Sequence, residues 1–101
     1  MRERQSRTSG ANDETEFEHA FGRVLAEVRH ERKMSQEHLG FEAGYHRTYV
    51  SLIERGLKNP SIKAVFRLAA TLDLPASELV RRLEVKLKSQ SARVSSVPAR
   101  I

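Results

Sequence analysis

The chain has 101 residues, a mass of 11.5 kDa and a net charge of +5, and it contains no Cys. This length leaves room for one small domain with a modest core, and the missing Cys excludes disulfides, zinc–thiolate sites and thiol catalysis. No apolar run approaches the ~20 residues that span a membrane. The sequence therefore predicts a soluble, cytoplasmic, basic protein whose partner is a polyanion and not a membrane.

The two ends of the chain differ in composition from its middle. Residues 1–14 are polar and carry no large apolar side chain after Met1, which predicts a disordered N-terminal tail. Residues 89–101 show no sustained hydrophobic period, and four basic residues with no acidic one follow Val85. We therefore expect one domain over residues 15–88, between two flexible, basic tails.

The spacing of apolar residues predicts the first helix. Thr15 and Glu18 make a capping box at its start, in which each side chain accepts a hydrogen bond from an unpaired backbone N–H. We expect this helix to run to about Lys33 with one buried stripe. The stripe consists of Phe17, Phe21, Val24, Leu25 and Val28.

Two helices of about two turns each are predicted next. Ser35 caps the second helix, and Gly44 ends it because the position after a helix favours the left-handed conformation that glycine adopts. The third helix opens at His46 or Arg47, and Gly56 ends it in the same way. Their predicted inward residues are Leu39, Val50 and Ile53.

Two more helices complete the predicted fold. Asn59-Pro60-Ser61 forms a turn and the N-cap of the fourth helix, and Leu74-Pro75 separates it from the fifth. The apolar positions of the fourth helix are Ile62, Val65, Phe66, Leu68, Ala69 and Leu72. Those of the fifth helix are Leu79, Val80, Leu83 and Leu87. The sequence thus predicts an all-α, compact five-helix domain.

The second and third helices are predicted to act as a pair. Each is too short to be stable alone, and a tight Gly44-Tyr45 turn joins them. Two short helices around a glycine-containing turn are typical of a helix-turn-helix, here over about residues 35–56. The outward side chains near the start of the third helix are Arg47, Thr48, Ser51 and Leu52. This is the end of a recognition helix that enters the major groove of DNA.

Between residues 21 and 80 the chain carries a set of short motifs in a fixed order. They are Phe21-Gly22-Arg23-Val24-Leu25, Met34-Ser35-Gln36-Glu37, Arg47-Thr48-Tyr49-Val50-Ser51, Ile53-Glu54-Arg55-Gly56, Asn59-Pro60-Ser61 and Ser77-Glu78-Leu79. Their order and spacing resemble the phage-repressor Cro/cI-like, or XRE, family, whose fold is a lambda-repressor-like bundle. The chain departs from the family pattern at Gly40, His46 and Pro75, where Ala, a Ser-type N-cap and Ser are usual. Arg47-Thr48-Tyr49 looks especially like the restriction–modification controllers of this family.

The resemblance implies which side chains contact DNA. Arg47 has the fork geometry for a two-pronged contact with guanine, and Thr48 presents a methyl group to thymine. The implied base-reading set is His46, Arg47, Thr48, Ser51 and Leu52. The residues implied to contact the DNA backbone are Gln36, Tyr49, Lys58 and Asn59. Tyr49 and Leu52 have the alternative of packing on the domain's own surface, and Lys58 that of a merely exposed lysine.

Two further sites are expected. The resemblance implies a structural salt bridge between Arg29 and Glu54, which ties the first helix to the third. Because one short recognition helix reads only a few base pairs, we expect a homodimer that places two such helices about 34 Å apart on a palindromic operator. The predicted dimer surface is the exposed part of the stripe of Leu79, Val80, Leu83 and Leu87, and the alternative is packing within the monomer.

Together these observations predict a sequence-specific, double-stranded-DNA-binding transcriptional regulator, a repressor or autoregulator of a bacterium or its phage or plasmid, associated with the nucleoid. No enzymatic activity, cofactor or metal is expected, because the four histidines do not recur at metal-ligand spacing and the glycines are isolated. Two alternatives stay open: an antitoxin that masks a toxin, and an adaptor that binds a protein such as polymerase.

Overall fold

The computed structural model describes the backbone of residues 6–95 and the side chains of residues 16–89. In that part of the chain it contains five α-helices and no strand, as the sequence predicts. The helices are α1 (Ser6–Glu31), α2 (Gln36–Ala43), α3 (Arg47–Glu54), α4 (Ile62–Thr71) and α5 (Ala76–Ser95). Across these residues, no helical segment combines the length and the apolar character that a bilayer-spanning helix needs.

Serine hydroxyls and a left-handed glycine set the ends of the middle helices. The Ser35 Oγ accepts the N–H of His38 at 2.9 Å at the start of α2, and the Ser61 Oγ accepts the N–H of Ala64 at 3.0 Å at the start of α4. Gly44, at a φ of 87°, ends α2 in a conformation that only glycine adopts without steric cost. These caps are the predicted ones.

Both terminal helices extend beyond the predicted domain limits. α1 begins at Ser6, so Thr15 lies inside the helix and the predicted capping box is wrong. α5 ends at Ser95, so the helix continues past the predicted domain limit at residue 88. Once the packed turns of a helix have formed, each further residue adds a hydrogen bond without a new nucleation cost, so a polar segment can continue it. The remainder of the predicted tails, residues 1–5 and 96–101, lies outside the described residues.

All five helices contribute to one core. Its largest fully buried side chains are Val24, Leu25, Val28, Leu39, Val50, Ile53, Leu68, Leu72 and Leu79. Burying each such side chain contributes about 1.5–3 kcal/mol, which offsets the entropy of ordering the chain. The predicted inward residues of α2 and α3 are confirmed, and α3 packs against both α1 and α2.

Two glycines allow α3 to approach its neighbours closely. A Cβ added at Gly40 on α2 would lie 2.7 Å from the carbonyl oxygen of Tyr45, in the turn that leads to α3. A Cβ added at Gly22 on α1 would lie 2.5 Å from the carbonyl oxygen of Ile53. Both distances are far below a van der Waals contact, so neither position accommodates a side chain without a shift of the backbone.

Several apolar residues lie on the opposite side from the predicted one. Phe17, Ile62 and Phe66, predicted to face the core, are 43%, 75% and 62% exposed. Leu79 and Leu83, predicted for the dimer surface, are 0% and 7% exposed, so their assignment to that surface is wrong and they pack within the monomer. The apolar stripes of these helices are wider than the neighbouring helices can cover, and their edges therefore remain in solvent.

Candidate nucleic-acid interface

The N-terminal turn of α3 is an exposed tip. α3 begins at Arg47, and its N-cap is His46, whose Nδ1 accepts the N–H of Thr48 at 3.0 Å. This geometry decides between the two starts that the sequence allows for the helix. The side chains of His46, Arg47 and Thr48 are all exposed. His46 therefore caps α3, and its assignment to base reading, like those of Arg47 and Thr48, stays a prediction.

The next turn of α3 is less accessible. Ser51 and Leu52 are half-buried, whereas Val50 and Ile53 on the opposite side of the helix are fully buried. The side chains at the N-terminal end of α3 are therefore more exposed than those in its middle. Of the residues that the sequence assigns to base reading, the structure brings the exposed His46, Arg47 and Thr48 together at this end.

The C-terminal end of α3 is fixed by a buried ion pair. The Arg29 Nε donates to Glu54 Oε2 at 2.6 Å, and Arg29 Nη2 donates to Glu54 Oε1 at 2.9 Å, so the predicted pair is present and two-pronged. The two side chains are only 10% and 7% exposed. Hydrogen bonding to Glu54 raises the pKa of Arg29 above its ordinary value, against the opposing effect of burial. The third prong, Arg29 Nη1, donates to the carbonyl oxygen of Met34 at 2.9 Å.

Gln36 belongs to this same cluster. Its Nε2 donates to Glu54 Oε1 at 2.9 Å, and the side chain is half-buried. One N–H group of Gln36 is therefore held by the carboxylate of Glu54, and the assignment of this residue to a DNA phosphate stays a prediction. Its second N–H and its carbonyl oxygen remain as hydrogen-bonding groups.

Tyr49 packs on the domain itself. Its ring lies 4.7 Å from that of Tyr45, centroid to centroid, at an interplanar angle of 35°. The guanidinium of Arg67 on α4 lies 5.6 Å from the centroid of the Tyr45 ring, within the range of a cation–π contact. Both tyrosines are partly buried against the core. Most of the Tyr49 side chain therefore packs on the domain's own surface, which was the alternative to a contact with the DNA backbone. Neither Tyr45 nor Arg67 was predicted to belong to the site, although an aromatic residue directly after the turn glycine was a signal.

Two polar residues lie in the loop between α3 and α4. Lys58 and Asn59 are both exposed. The loop follows Gly56, which has a φ of 77° and takes the chain away from the end of α3. Both side chains are accessible to a partner, and their assignment to phosphate contacts stays a prediction.

A separate apolar groove runs between α1, α4 and α5. It has a volume of about 560 Å³. Its apolar lining residues are Phe17, Phe21, Pro60, Ile62, Val65, Val80, Leu83 and Leu87. Val80 is 46% exposed and Leu87 is partly buried, so they are the members of the predicted dimer stripe that remain at the surface. Phe17 and Ile62 were predicted to face the core and not the surface. The signal for their exposure was an apolar stripe wider than one neighbouring helix can cover.

The same arrangement of helices occurs in known proteins. The profile of the helix-turn-helix family matches residues 25–79. The chain is similar to the control protein C.BamHI of Bacillus amyloliquefaciens, with 38% identity over 61 residues, which are 59% of this chain and 75% of that protein. It is also similar to the immunity repressor protein of Bacillus phage phi105, with 32% identity over 75 residues, 74% of this chain and 51% of the repressor.

Solved structures of restriction–modification controller proteins have a similar fold. The restriction–modification controller protein C.AhdI of Aeromonas hydrophila superposes with a TM-score of 0.60 at 40% sequence identity, over 61% of this chain and 94% of the controller. The controller protein C.Esp1396I superposes with a TM-score of 0.66 at 26% identity, over 71% of this chain and 95% of that chain.

An exposed helix tip, a buried ion pair behind it and these relatives define a DNA-binding transcriptional regulator. The chain belongs to the helix-turn-helix family, of the Cro/cI-like type, and controller proteins and a phage repressor are among its relatives. The predictions of family, fold class and DNA-binding regulation are confirmed. The relatives named are regulatory proteins rather than enzymes.

Proposed function

We propose that this protein binds one double-stranded DNA sequence through the N-terminal end of α3 and thereby regulates transcription from a nearby promoter. The observation that carries the proposal is the contrast along α3. Its start is exposed at Arg47 and Thr48, whereas its core face and its far end are held by Val50, Ile53 and Glu54. A rigidly supported helix with a free tip is suited to enter the major groove.

The contacts follow from the chemistry of each exposed side chain. Arg47 donates two hydrogen bonds to O6 and N7 of guanine, and Thr48 places its methyl group against that of thymine. Ser51 and Leu52, being half-buried, contribute at the edge of the contact. Lys58 and Asn59 bind phosphate groups and set the position of the domain along the duplex without reading bases.

We further propose that two copies bind together. A tip of one helical turn reads only a few base pairs, and two tips about 34 Å apart read an inverted repeat on one face of the duplex. The apolar groove is the face that fits a second copy. Val80 and Ile62 are exposed beside Phe17 along this groove, and water is removed from these apolar surfaces when the same face of a partner covers them.

Selection of bound DNA from a random pool tests this function. The full chain is mixed with random-sequence duplexes at moderate salt, and the retained duplexes are sequenced over successive rounds. We expect one inverted repeat whose half-sites lie about one helical turn apart. Enrichment of no sequence, with binding that depends only on salt, would refute base reading.

One observation favours a protein partner as the second candidate. Phe41, on the outer side of α2, is 80% exposed and lies in a cleft with Glu37 and Arg47. An antitoxin or an adaptor would use such an aromatic residue as an anchor for a protein. In that case Phe41→Ser would abolish binding of the partner, and the random pool would yield no consensus.

As a regulator of transcription the protein would work in the cytoplasm, at the nucleoid. No catalytic step is required for this role. Binding and release of DNA are sufficient to occupy or vacate a promoter, and this role requires no cofactor.

A further inference from the structure

The N-cap of the recognition helix is chemically different from the caps of its neighbours. α2 and α4 are capped by the hydroxyls of Ser35 and Ser61, which do not titrate in water. α3 is capped by the imidazole of His46, whose backbone is extended at φ −70° and ψ 149° and whose Nδ1 accepts the N–H of Thr48. The helix that presents the proposed base-reading residues is therefore capped by a group that changes its charge in water.

Only one form of the imidazole can make this cap. A neutral ring has one acceptor nitrogen, and the contact with the Thr48 N–H requires that the acceptor be Nδ1 and that Nε2 carry the hydrogen. Protonation puts a hydrogen on Nδ1, so that the ring N–H and the Thr48 N–H, which are both donors, face each other. It also places a positive charge at the positive end of the α3 dipole, which is unfavourable.

The cleft that contains His46 is lined by charged residues of both signs. Among the described residues, the cleft that contains it is lined by Glu37 and Phe41 from α2, by Tyr45 from the turn and by Arg47 from α3. Glu37 and Arg47 are the charged residues of this lining besides His46 itself. α2 also packs closely here, because the carbonyl carbon of His46 lies 3.3 Å from a Cβ built at Gly40.

We propose that His46 is a positioning residue that couples protonation to base reading. In its neutral form the ring orders the first turn of α3 and so holds Arg47 and Thr48 in place. Protonation releases the Thr48 N–H and loosens that turn, and an imidazole side chain changes its charge between about pH 5 and pH 8. The consequence for DNA rests on the proposed function, whereas the cap itself is a property of the free chain.

The free chain provides the first test. In ¹⁵N-labelled full-length protein at about pH 8, we expect His46 to carry its hydrogen on Nε2 and not on Nδ1. As the pH falls to about 5, the Thr48 amide resonance should move with the same midpoint as the His46 ring. A hydrogen on Nδ1 at high pH, or a Thr48 amide that does not follow the ring, overturns the proposal.

Two substitutions of His46 separate the loss of the hydrogen-bond acceptor from the loss of the titrating group. His46→Ala removes the acceptor and should lower the folded-to-unfolded ratio about fivefold, as the loss of a typical N-cap does. His46→Asn keeps an acceptor oxygen without titration, so it should restore that ratio and make the Thr48 amide insensitive to pH. His38→Asn, at an exposed histidine of α2 whose imidazole does not cap a helix, is the matched control and should leave the Thr48 titration unchanged. An Asn variant that behaves like the Ala variant contradicts the cap.

Binding to DNA provides the second test. We measure the ratio of affinities for the selected repeat and for random duplex at about pH 8 and about pH 5. For the wild-type chain this ratio should fall by up to about fivefold on acidification, and for His46→Asn it should stay constant. An equal fall in both proteins overturns the proposal. A wild-type chain that discriminates no sequence at either pH instead refutes the proposed function, and the titration of the Thr48 amide then still decides the cap.

Discussion

The guanidinium of Arg29 on α1 and the carboxylate of Glu54 on α3 form a two-pronged ion pair, with N–O distances of 2.6 and 2.9 Å, beneath the surface of the domain. The same carboxylate accepts a hydrogen bond from Gln36 at the start of α2. One acidic side chain therefore connects the first three helices, and it lies at the end of α3 opposite the exposed tip. The pair holds α3 in place from behind that tip.

Glu54→Gln should destabilise the domain by about 3–5 kcal/mol, because the buried Arg29 loses its countercharge. Urea unfolding followed by circular dichroism measures the change. Lys86→Gln, which removes an exposed ion pair with Glu27, is the control and should change stability by about 0–1 kcal/mol. Similar small losses in both variants would show that the buried pair is not a major support of α3.

Arg47→Ala and Lys58→Ala should weaken DNA binding in different ways. Loss of a two-pronged contact with guanine costs about 1–3 kcal/mol and relaxes specificity at one base position. Loss of a phosphate contact weakens binding to every sequence alike and lowers the slope of log K against log salt by about one unit. Titrations of the selected repeat and its single-base variants over a range of salt concentrations distinguish the two. Equal losses on every sequence for both variants would contradict base reading by Arg47.

Gly40→Ala should destabilise the domain even though Ala favours helices. The gain in helix propensity is at most about 1 kcal/mol. The new Cβ would lie 2.7 Å from the carbonyl oxygen of Tyr45, and relieving such a clash in a packed interior costs about 1–3 kcal/mol. Ala70→Gly, at an exposed position of α4, is the control for propensity alone. Thermal unfolding measures both variants, and a Gly40→Ala protein more stable than the wild type would contradict the close approach of α2 to the turn.

Val80→Glu should reduce self-association without unfolding the monomer. Val80 is 46% exposed in the apolar groove, so a charge is tolerated in the monomer but not against a second apolar face. Val85→Glu is the matched control, because Val85 is also exposed on α5 but lines a different cleft with Arg81 and Lys86. Sedimentation velocity over a range of concentrations measures both. If Val85→Glu dissociates the protein and Val80→Glu does not, the dimer surface lies elsewhere.

Glu78 should contribute to stability only above acidic pH. Hydrogen bonds from Arg81 and then Arg82 lower the pKa of its carboxyl from 4.5 to about 2. A folded-state pKa below the unfolded one stabilises the fold above the unfolded value, and that contribution is lost as the pH falls from about 4.5 toward 2. The wild type should therefore melt above Glu78→Gln near neutral pH, and the difference in Tm should shrink on acidification. The effect is small because the cluster is exposed and salt screens it.

Glu84→Gln is the control for this experiment. Glu84 is exposed on the same helix and has no ion-pair partner among the described residues. Its substitution should leave the difference in Tm from the wild type nearly independent of pH. A Glu78→Gln protein whose difference from the wild type grows as the pH falls would reverse the assigned direction.

Local sequence alone determined the number and order of the helices, the caps of α2 and α4, and the identity of the helix-turn-helix. Caps at Ser35 and Ser61 and the glycine at position 44 act within four residues of the helix ends, so their hydrogen bonds and backbone angles follow from neighbours along the chain. The order of motifs likewise indicated the family, and with it the pairing of Arg29 with Glu54. The caps need no knowledge of how the helices are arranged, whereas the pairing came from the family resemblance alone.

The tertiary structure decided which faces of the helices are covered and which polar groups meet. Leu79 is buried and Ile62 is exposed, although both lie on apolar stripes. Whether a stripe residue is covered depends on helices that are far away along the chain. The inward turn of Gln36 also depends on a carboxylate 18 positions later in the sequence, and periodicity carries no information about such distant partners. Local spacing therefore fixed the elements, and only the packing of the helices fixed what their surfaces contact.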